Sequence, residues 1–538
     1  MFRSHADERR HDAQEASFAP DTHRPWHAHS RAYLLAAVGF MGIFLFGYDT
    51  GLGGGVIALP SFAKDFHITG TKAQIAALQG NIVAILQGGA FFGALGGAPL
   101  EDYLGRKWSL MVGCWIFIVG GILQVVASSS LGLVYGGRFT AGFGVGLMSM
   151  VCPTYASEIA PKEIRGRITG MFQVVVVIGV AFSYWINYGV TFMNASRGAI
   201  QWRIPIGFQL VPVGIMVMLL PILKESPRWL ATKHKDELAL KNLAWIRKLP
   251  PTDPAVQFEF AEIIAAIREE EAATQGASWR EIGAKGNPFR FVIAFVIFTL
   301  QQWSGQNSIS YYAPSIFQSI GLVGAKTGLL ASGVYGIVKI VATGIFIIFG
   351  VDRFGRKKPL LTGIALMSMF LWIVGAIFHT HVPKTGGPVS GASIGMAVCI
   401  YLFVIPYCFS VGPLPWVICS EIFSNRTRHF GLMTAAATQW AWNFGVTKAT
   451  PLMVLKMPNG GIFFFFAAIN IISFTLAFFF LPETSGTSLE AMDIIFGSVT
   501  KEEREAEIAR RAGAIEKAFD DEEKGVSSHV EHHDDIKV

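Results

Sequence analysis

Charged side chains are scarce in this chain of 538 residues. Asp, Glu, Lys and Arg together make up 15% of it, against about 25% in soluble domains, while hydrophobic residues make up 52%. So little charge excludes an ordinary soluble globule. The net charge of +6 reflects basic residues in a few loops and does not mark a nucleic-acid surface, so no nucleic-acid partner is expected.

Cysteine is also rare. The five cysteines stand at positions 114, 152, 399, 408 and 419 and include no CxxC pair, so neither a disulfide framework nor a zinc site is expected. Gly321-Leu-Val-Gly-Ala-Lys-Thr327 lacks the glycine that precedes the lysine of a phosphate-binding loop. We therefore expect no cofactor, no metal, no ATP-driven pump and no enzymatic activity.

Long apolar runs are abundant instead, and about 20 apolar residues suffice to cross a bilayer as a helix. The sequence predicts an all-α membrane protein with twelve spans in two six-helix bundles, since the period-two alternation of a barrel is missing. The predicted spans are 33–57, 75–99, 108–127, 131–152, 167–190, 204–222, 288–313, 327–350, 359–379, 394–419, 430–455 and 461–481.

Three charged motifs of the first half return in the same order in the second half. The pairs are Asp102-Tyr-Leu-Gly-Arg-Lys107 with Asp352-Arg-Phe-Gly-Arg-Lys357, Glu158 and Arg165 with Glu421 and Arg428, and Glu225-Ser226 with Glu483-Thr484. Chance does not keep three unrelated motifs in step over half a chain. Parallel six-helix repeats are typical of transporters that rock one half against the other.

Basic residues concentrate in the short loops after spans two, four, eight and ten, which predicts that these loops and both termini are cytoplasmic. The first apolar run is too long for a cleaved signal peptide. The expected division is an N-terminal tail (1–31), a six-helix bundle (32–222), an intracellular helical domain (223–287), a second bundle (288–481) and a C-terminal tail (482–538). Within the intracellular domain, helices are predicted at 235–248 and 257–273.

Five further motifs occur together in this order: Gly137-Arg-Phe139, Glu225-Ser-Pro-Arg-Trp-Leu230, Gln301-Gln302 with Asn307 and Tyr311-Tyr312, Gly412-Pro-Leu-Pro-Trp416, and Pro482-Glu-Thr-Ser-Gly486. Over residues 30–490 the chain resembles the sugar porters of the major facilitator superfamily, with fungal-type tails. Two departures are Tyr103, where the family has a basic residue, and His429, where it has glycine.

The charged motifs lie at predicted helix ends, where a Glu and an Arg seven residues later can bridge neighbouring helices. Such pairs are individually weak, but a network on both halves can bias a closely balanced equilibrium. They are expected to act as a cytoplasmic gate. The alternative is that these charges only fix the orientation of the helices in the membrane. The predicted gating residues are Asp102, Arg106, Glu158, Arg165, Glu225, Arg228, Asp352, Arg356, Glu421, Arg428 and Glu483.

Asp49 lies well inside the first span, where a charge is costly enough to predict a function. Its expected partner is Arg138, near the start of the fourth span, and the resemblance implies the same pair. An acid that loses its partner during a conformational change alters its proton affinity, so the pair predicts proton coupling. The alternative is a permanent buried ion pair.

Amide side chains suit the vicinal hydroxyls of a sugar, and the seventh span is rich in them. Gln302 and Gln306 are four residues apart, so we expect them to share a helix face. The resemblance implies a sugar site formed by Gln173, Gln301, Gln302, Asn307, Trp416 and Asn443, with Phe409, Gln439 and Trp440 nearby. The alternative is that these polar groups only join helices.

Lys339 departs from the family, which places an asparagine against the sugar near the middle of the eighth span. The lysine is too deep to reach the membrane surface easily. Three interpretations remain open: a pair with an intramembrane acid, a hydrogen bond to a neutral sugar, or a contact with the carboxylate of an acidic cargo such as a uronic or quinate-like acid.

The sequence therefore predicts a multi-pass plasma-membrane transporter that takes up a monosaccharide, hexose or pentose, with a proton by alternating access. The alternatives are a proton-coupled transporter of an acidic sugar derivative (galacturonate- or quinate-like), a facilitative uniporter and a non-transporting sugar sensor. The short C-terminal tail argues against the sensor. The expected partners are the sugar, the proton and the lipid bilayer, with no obligatory protein partner.

Overall fold

The computed structural model describes residues 29–193, 198–284, 286–349, 355–383, 389–424, 426–485, 492, 494–497 and 502. Throughout these residues the regular structure is helical, and the described part of the chain contains no strand. Helices are the expected solution because an apolar surrounding leaves backbone N–H and C=O groups no other partners. The predicted all-α fold is confirmed.

The first half forms eight helices, two of them within the sixth span. They are α1 (Ser30–Ile57), α2 (Pro60–Asp65), α3 (Lys72–Leu104), α4 (Arg106–Val125), α5 (Leu131–Ile159), α6 (Lys162–Val190), α7 (Ile200–Phe208) and α8 (Leu210–Leu219), followed by a 3-10 turn at Leu220–Ile222. The main packing in this half joins α3 and α4 to α5, and α1 to α6.

Three short helices follow: α9 (Pro227–Thr232), α10 (Asp236–Arg247) and α11 (Pro254–Thr274). Helix α11 forms an ion pair with the first half, between Lys162 and Glu262 at 2.6 Å. The 3-10 turn at Trp279–Gly283 pairs instead with the second half, through Arg426 and Glu281 at 2.8 Å. The segment therefore contacts both halves.

The second half contains α12 (Asn287–Gln302), α13 (Gln306–Tyr311), α14 (Ala313–Ser319), α15 (Ala325–Phe349), α16 (Lys357–Thr380), α17 (Gly391–Phe409), α18 (Leu414–Ile422), α19 (Arg428–Lys456) and α20 (Gly461–Phe480). Here α16 packs against α17 and α20, and α12 packs against α19.

Nine of the described helical segments are long and apolar enough to span a membrane. The other three predicted spans correspond to α5, to α12–α14 and to α19. Helix α5 carries Arg138, α12–α14 carry the amide cluster, and α19 carries Gln439 and Asn443. These three spans thus all carry candidate site residues, and the seventh is divided into helices of fewer than 18 residues.

The seventh span is not the single helix that the sequence predicts. Helix α12 ends at Gln302, Gly305 adopts a left-handed φ of +94°, and α13 then begins at Gln306. A side chain on Gly305 would be strained at this φ and would lie 3.0 Å from the ring of Phe466. The break separates the polar residues of this span into two groups.

The two halves meet closely through α3 and α19, through α6 and α15, and through α1 and α13. At Gly54 an added Cβ would lie only 1.9 Å from the carbonyl oxygen of Tyr311. Glycine is required here because any side chain would push α1 away from α13. This contact lies toward the end of α1 that is remote from the charged loops.

Candidate functional site

Lys339 is buried near the middle of α15. Its Nζ lies 3.5 Å from Ser310 Oγ and 5.8 Å from the centre of the Tyr407 ring. Ser310 Oγ also accepts a hydrogen bond from Gln306 Nε2 at 2.9 Å, and the Tyr335 hydroxyl lies 3.3 Å away. The ammonium group therefore lies among neutral hydroxyl, amide and aromatic groups.

No carboxylate among the described residues lies within 4.0 Å of the Lys339 ammonium group. The expected alternative of an intramembrane acid partner is therefore not seen in this part of the chain. A buried ammonium group without an opposite charge is unfavourable, because the hydration it has lost is only partly replaced. An anion bound beside Ser310 and Tyr407 would relieve that cost.

The amides at the break of the seventh span form a chain of hydrogen bonds. Asn307 Nδ2 donates to Gln302 Oε1, and Gln302 Nε2 donates to Gln301 Oε1 at 3.2 Å. Gln301 Nε2 in turn donates to the carbonyl oxygens of Val411 and Gly412, at 2.7 and 3.1 Å. These carbonyls lie between α17 and α18, so Gln301 joins two interrupted helices and orients Gln302.

The expected shared face of Gln302 and Gln306 is wrong. Gln302 belongs to the chain with Asn307, whereas Gln306 Nε2 donates to the Tyr335 hydroxyl at 2.8 Å and belongs to the group around Lys339. The reason is the break at Gly305, which interrupts the helical spacing that the prediction assumed.

The predicted aromatic residues pack against rings of other helices. Phe409 packs on Phe346 with ring centres 5.6 Å apart, and Trp416 packs on Phe298 at 4.7 Å. Trp440 is buried and contacts Phe46 of α1 at 5.3 Å. The predicted aromatic residues thus include one, Trp440, that links the two halves.

The remaining predicted cargo residues lie on α6 and α19. Asn443 is buried and its Nδ2 donates to the Tyr311 hydroxyl at 3.2 Å. Gln439 is half-buried, and no described residue forms a hydrogen bond with its Oε1. Gln173 is half-buried on α6, in the other half. Polar groups from both halves therefore lie within the membrane-spanning region.

Asp49 and Arg138 are both almost fully buried in the first half. Gly53 lies one turn beyond Asp49 on α1, and a Cβ there would lie 3.0 Å from Arg138 Nη2. Nevertheless the two side chains form no ion pair within 4.0 Å, and neither oxygen of Asp49 has a hydrogen-bond partner in the described part of the chain. The expected direct pair is not formed in this conformation, so the two charges are close but separate.

The charged motif of the first half forms a compact network at the end of α3. Arg106 pairs with Glu158 at 2.8 Å, while Asp102 is exposed and 4.0 Å from Arg106. Glu225 accepts hydrogen bonds from the backbone N–H groups of Arg106 and Lys107, at 3.0 and 3.1 Å. Three separate sequence motifs thus meet around one guanidinium group.

The second half repeats this arrangement. Arg356 Nε lies 3.2 Å from Glu421, and Glu483 accepts from the N–H groups of Arg356 and Lys357 at 2.8 and 3.1 Å. The Thr484 hydroxyl also donates to Glu421. Asp352 lies outside the described residues.

The expected bridges from each Glu to the Arg seven residues later are wrong. Glu158 and Glu421 pair with Arg106 and Arg356 of the other motif, because helix α5 ends at Ile159 and directs Glu158 toward α4. Arg165 donates instead to the carbonyl oxygen of Ala160 at 3.4 Å.

Two other predicted gating residues lie outside these networks. Arg428 begins α19, and its buried Nε has no hydrogen-bond partner among the described residues. Arg228 pairs with Glu270 of α11 at 2.6 Å. The Glu158-to-Arg165 and Glu421-to-Arg428 spacing therefore marks residues near the charged networks but does not predict which residues form ion pairs.

Glu225 and Glu483 occupy matching positions in the two halves, but the pKa values of their carboxyl groups are shifted in opposite directions. Burial raises the pKa of the Glu225 carboxyl, and the N–H donors of Ser226, Lys107 and Arg106 only partly oppose it. Burial would also raise the pKa of Glu483, but N–H donors including Arg356 hold it below its usual value. Glu483 is exposed and Glu225 is half-buried, which accounts for the difference.

Sequence reasoning missed Tyr335, Ser310 and Gln87. Tyr335 lies four residues before Lys339, so helical spacing could have placed it on the same face. Gln87 on α3 is fully buried, with neither amide atom hydrogen-bonded. Its only sequence signal is an amide in an apolar run.

The paired charged networks, the interrupted helices and the buried polar centre define a transporter with the major facilitator fold. The family model described as "Sugar (and other) transporter" matches residues 35–496. The chain belongs to this family of multi-pass membrane transporters.

Several curated relatives are similar over most of their length. The chain is 40% identical over 475 residues to a probable quinate permease of Aspergillus clavatus, covering 87% of this chain and 88% of that protein. It is 37% identical over 499 residues to the quinate permease of Emericella nidulans, covering 91% and 93%.

Solved structures of the xylose transporter XylE from E. coli are also similar. Its inward-open conformation has a TM-score of 0.72 at 26% identity and covers 86% of this chain and 99% of that chain. The proton:xylose symporter XylE bound to 6-bromo-6-deoxy-D-glucose has a TM-score of 0.71 at 26% identity, with coverage of 87% and 99%.

Proposed function

We propose that this protein takes up a polyhydroxylated ring carboxylate of the quinate type together with a proton, across the plasma membrane by alternating access. The observation that carries the proposal is the buried ammonium group of Lys339, which lacks a carboxylate neighbour among the described residues. The order of the two cargo classes is thereby reversed relative to the sequence prediction, which placed a neutral monosaccharide first.

A ring carboxylate satisfies the chemistry around Lys339 in two ways. Its charge balances the ammonium group, and charge-assisted hydrogen bonds are about twice as strong as neutral ones. Its ring hydroxyls can exchange hydrogen bonds with the amides of Gln302 and Asn307, which donate and accept. The names of the quinate permeases, 37–40% identical in the two cases above, support the same class of cargo.

A neutral monosaccharide is the second candidate. The likeness to the xylose symporter favours it, as does the chain of amides from Asn307 to Gln301. In that case Lys339 would serve as a hydrogen-bond donor to a sugar hydroxyl, and its charge would have no specific partner in the cargo.

Asp49 is proposed as the proton carrier. Its unpartnered oxygens and its separation from Arg138 describe a carboxyl group whose environment can change when the halves move. In one state Arg138 would favour the charged carboxylate, and in the other burial would favour the protonated acid. A facilitative uniporter, in which Asp49 is only structural, is the alternative.

The expected topology completes the proposal. Residues 32–222 and 288–481 would be the two moving bundles, and residues 223–287 would join them on the cytoplasmic side together with both termini. The networks around Arg106 and Arg356 would form in one conformation of the transport cycle and stabilise that conformation relative to the others.

Uptake of labelled cargo tests the proposal. The chain would be expressed in cells that lack their own transporters for these compounds. Labelled quinate, galacturonate, glucose and xylose would then be supplied at two external pH values. We expect uptake of quinate that rises at lower pH and falls when a protonophore removes the gradient. Uptake of neutral sugars alone would contradict the acid proposal, and uptake of any cargo without pH dependence would contradict the coupling.

A further inference from the structure

Gln87 of α3 is a buried amide that belongs neither to the charged networks nor to the amide chain of the seventh span. Its side chain is fully buried, and no residue that the structure describes forms a hydrogen bond with its Nε2 or its Oε1. Such an amide is unfavourable, because it has lost its hydrogen bonds to water without replacing them. Amides in membrane spans commonly join helices, but Gln87 makes no such bond within the described part of the chain. Its polar atoms are therefore available to a ligand.

The face of α3 that carries Gln87 packs against α19 of the other half. A Cβ added to Gly80 would lie 2.7 Å from the carbonyl oxygen of Lys448, and one added to Gly88 would lie 3.4 Å from the Phe444 ring. Gln87 follows Gly80 by nearly two full turns of an α-helix, so the two residues face the same way. Gln87 therefore lies on the α19 side of α3, where the two halves meet.

The stretch of α19 opposite Gln87 carries two of the expected cargo residues. Phe444, which lies beside Gly88, directly follows Asn443, and Trp440 lies one turn earlier on the same helix. Both Asn443 and Trp440 are buried. Since Gln87 directly precedes Gly88, it lies at about the same depth in the membrane as Asn443.

The proposed proton carrier lies on a neighbouring helix of Gln87. Val83, one turn before Gln87, lies beside α1, because a Cβ at Gly53 would be 3.3 Å from Val83 Cγ2 and 3.0 Å from Arg138 Nη2. The first two spans cross the membrane in opposite directions, so one turn forward on α3 and one turn back on α1 lead to the same depth. These steps lead from Val83 to Gln87 and from Gly53 to Asp49. Gln87 therefore lies at the depth of both Asp49 and the cargo residues of α19.

We infer that Gln87 is a further cargo-binding residue, contributed by the first half, and that it binds a ring hydroxyl of the cargo. The inference rests on the proposed function, which supplies a cargo with ring hydroxyls. The amide donates through Nε2 and accepts through Oε1, so it can serve two neighbouring hydroxyls. It carries no charge, and the choice between acidic and neutral cargo stays with Lys339. Gln87 is enclosed between α3 and α19 in this conformation, so the cargo reaches it when these helices separate during the cycle.

Binding of quinate to the purified full-length protein, measured by calorimetry, tests the inference. Gln87→Leu removes both polar atoms at nearly constant volume and should weaken quinate binding roughly 10-fold, the loss expected for hydrogen bonds between neutral groups. The variant should unfold at the temperature of the wild type or above it, because it removes a buried amide without a described partner. A lower unfolding temperature with unchanged affinity would show a role in helix packing and overturn the inference.

Gln124→Leu is the matched control. Gln124 is a fully buried amide of α4 that packs mainly against α5, and its Nε2 donates to the carbonyl oxygen of Gly120 at 3.2 Å. As with Gln87, its Oε1 has no partner among the described residues. This variant should bind quinate like the wild type, and equal weakening in both variants would overturn the inference.

Monodeoxy analogues of quinate identify the contact itself. At least one analogue should bind the wild type roughly 10-fold more weakly than quinate does, whereas Gln87→Leu should bind that analogue and quinate equally, since the partner of the missing hydroxyl is gone. Penalties that are the same in the variant and in the wild type for every analogue would overturn the inference.

Two further arms keep the test decisive. A wild type that binds xylose but not quinate would contradict the proposed cargo and not the role of Gln87, which xylose and its deoxy analogues would then test in the same way. If Gln87→Leu is poorly folded, Gln87→Met removes the same polar atoms with an unbranched side chain and should show the same loss of affinity. Unchanged affinity in Gln87→Met would equally overturn the inference.

Discussion

The two halves are nearly identical at the charged ends of their helices and differ within the membrane. At those ends Arg106 and Arg356 each contact one Glu through the guanidinium group, while a second Glu accepts from their backbone N–H groups. Even the neighbouring lysines agree, because Lys107 and Lys357 each donate to a backbone carbonyl at 2.8 Å.

Within the membrane the halves carry different chemistry. The first half buries an acid and a base, Asp49 and Arg138, whereas the second buries Lys339 among amides and hydroxyls. The two halves thus share the charged networks at their helix ends. They differ in the polar groups that they bury within the membrane. In our account the first half carries the proton and the second half selects the cargo.

The largest expected effect tests the task of the first half. Asp49→Asn should abolish accumulation of cargo against a gradient, because an amide cannot bind and release a proton. Exchange of labelled cargo across the membrane should continue, since the cargo groups of the second half are unchanged. Uptake and exchange in proteoliposomes with an imposed pH gradient would separate the two activities.

Asp65→Asn is the matched control, because Asp65 lies between the first two spans and its carboxylate accepts a hydrogen bond from Trp202 Nε1 at 2.7 Å. It should accumulate cargo normally, since an amide oxygen can accept the same bond. An Asp49→Asn protein that still concentrates cargo and moves protons would show that the first half does not carry the proton through this residue.

A smaller effect is expected from the amides of the second half. Gln302→Ala and Asn307→Ala should each weaken cargo binding by about 1–3 kcal/mol, the cost of leaving a buried polar partner unsatisfied. Binding to purified protein, followed by calorimetry or by fluorescence, gives the affinity. Ser308→Ala is the control, since Ser308 lies on the same short helix as Asn307 but its hydroxyl bonds to that of Thr450 at 2.7 Å.

Loss of folded protein with unchanged affinity in what remains would identify Gln302 and Asn307 as structural groups. Gln301 is excluded from this comparison because its amide is bonded to the backbone between α17 and α18. Its replacement would change both the site and the helix packing.

The smallest expected effect tests whether the charged networks of the two halves respond to pH in the same way. The pKa of Glu225 is raised, so its charge costs stability once the pH exceeds the unfolded value, and Glu225→Gln should not lower thermal stability at neutral pH. The pKa of Glu483 is lowered, so its charge contributes stability that is lost as the pH falls through the folded pKa. Glu483→Gln should therefore destabilise at neutral pH but not in acid.

At an exposed position such as Glu483 the change should stay below about 1 kcal/mol. Thermal unfolding of both variants over a range of pH is the measurement, and each variant serves as the control for the other. The same pH dependence in both would show that the two ends are electrostatically equivalent.

The sequence predicts the fold more completely than it predicts the contacts between side chains. Helices such as α1 and α15 were predicted within a few residues, because an apolar run of this length has one stable structure in lipid. The break at Gly305 was not predicted, because a single glycine is common in spanning helices and the sequence alone does not reveal that this one has a left-handed φ.

The partners of individual charges were the least predictable feature. Glu158 was expected to pair with an arginine nearby in sequence, but the distances that select Arg106 arise only when α4 and α5 pack. The same holds for Lys339, whose position was clear from sequence while its neighbours Ser310 and Tyr407 come from other helices.

The most direct test of the account compares a charged cargo with its neutral copy. Binding of quinate and of quinamide, in which an amide replaces the carboxylate, would be measured in the wild type and in Lys339→Asn. The wild type should prefer quinate by roughly 10- to 150-fold, the range for a hydrogen bond to a charged group, and the variant should bind both about equally. Equal binding of the two compounds by the wild type, or a preference that survives in the variant, would contradict the assignment of Lys339 to a carboxylate cargo.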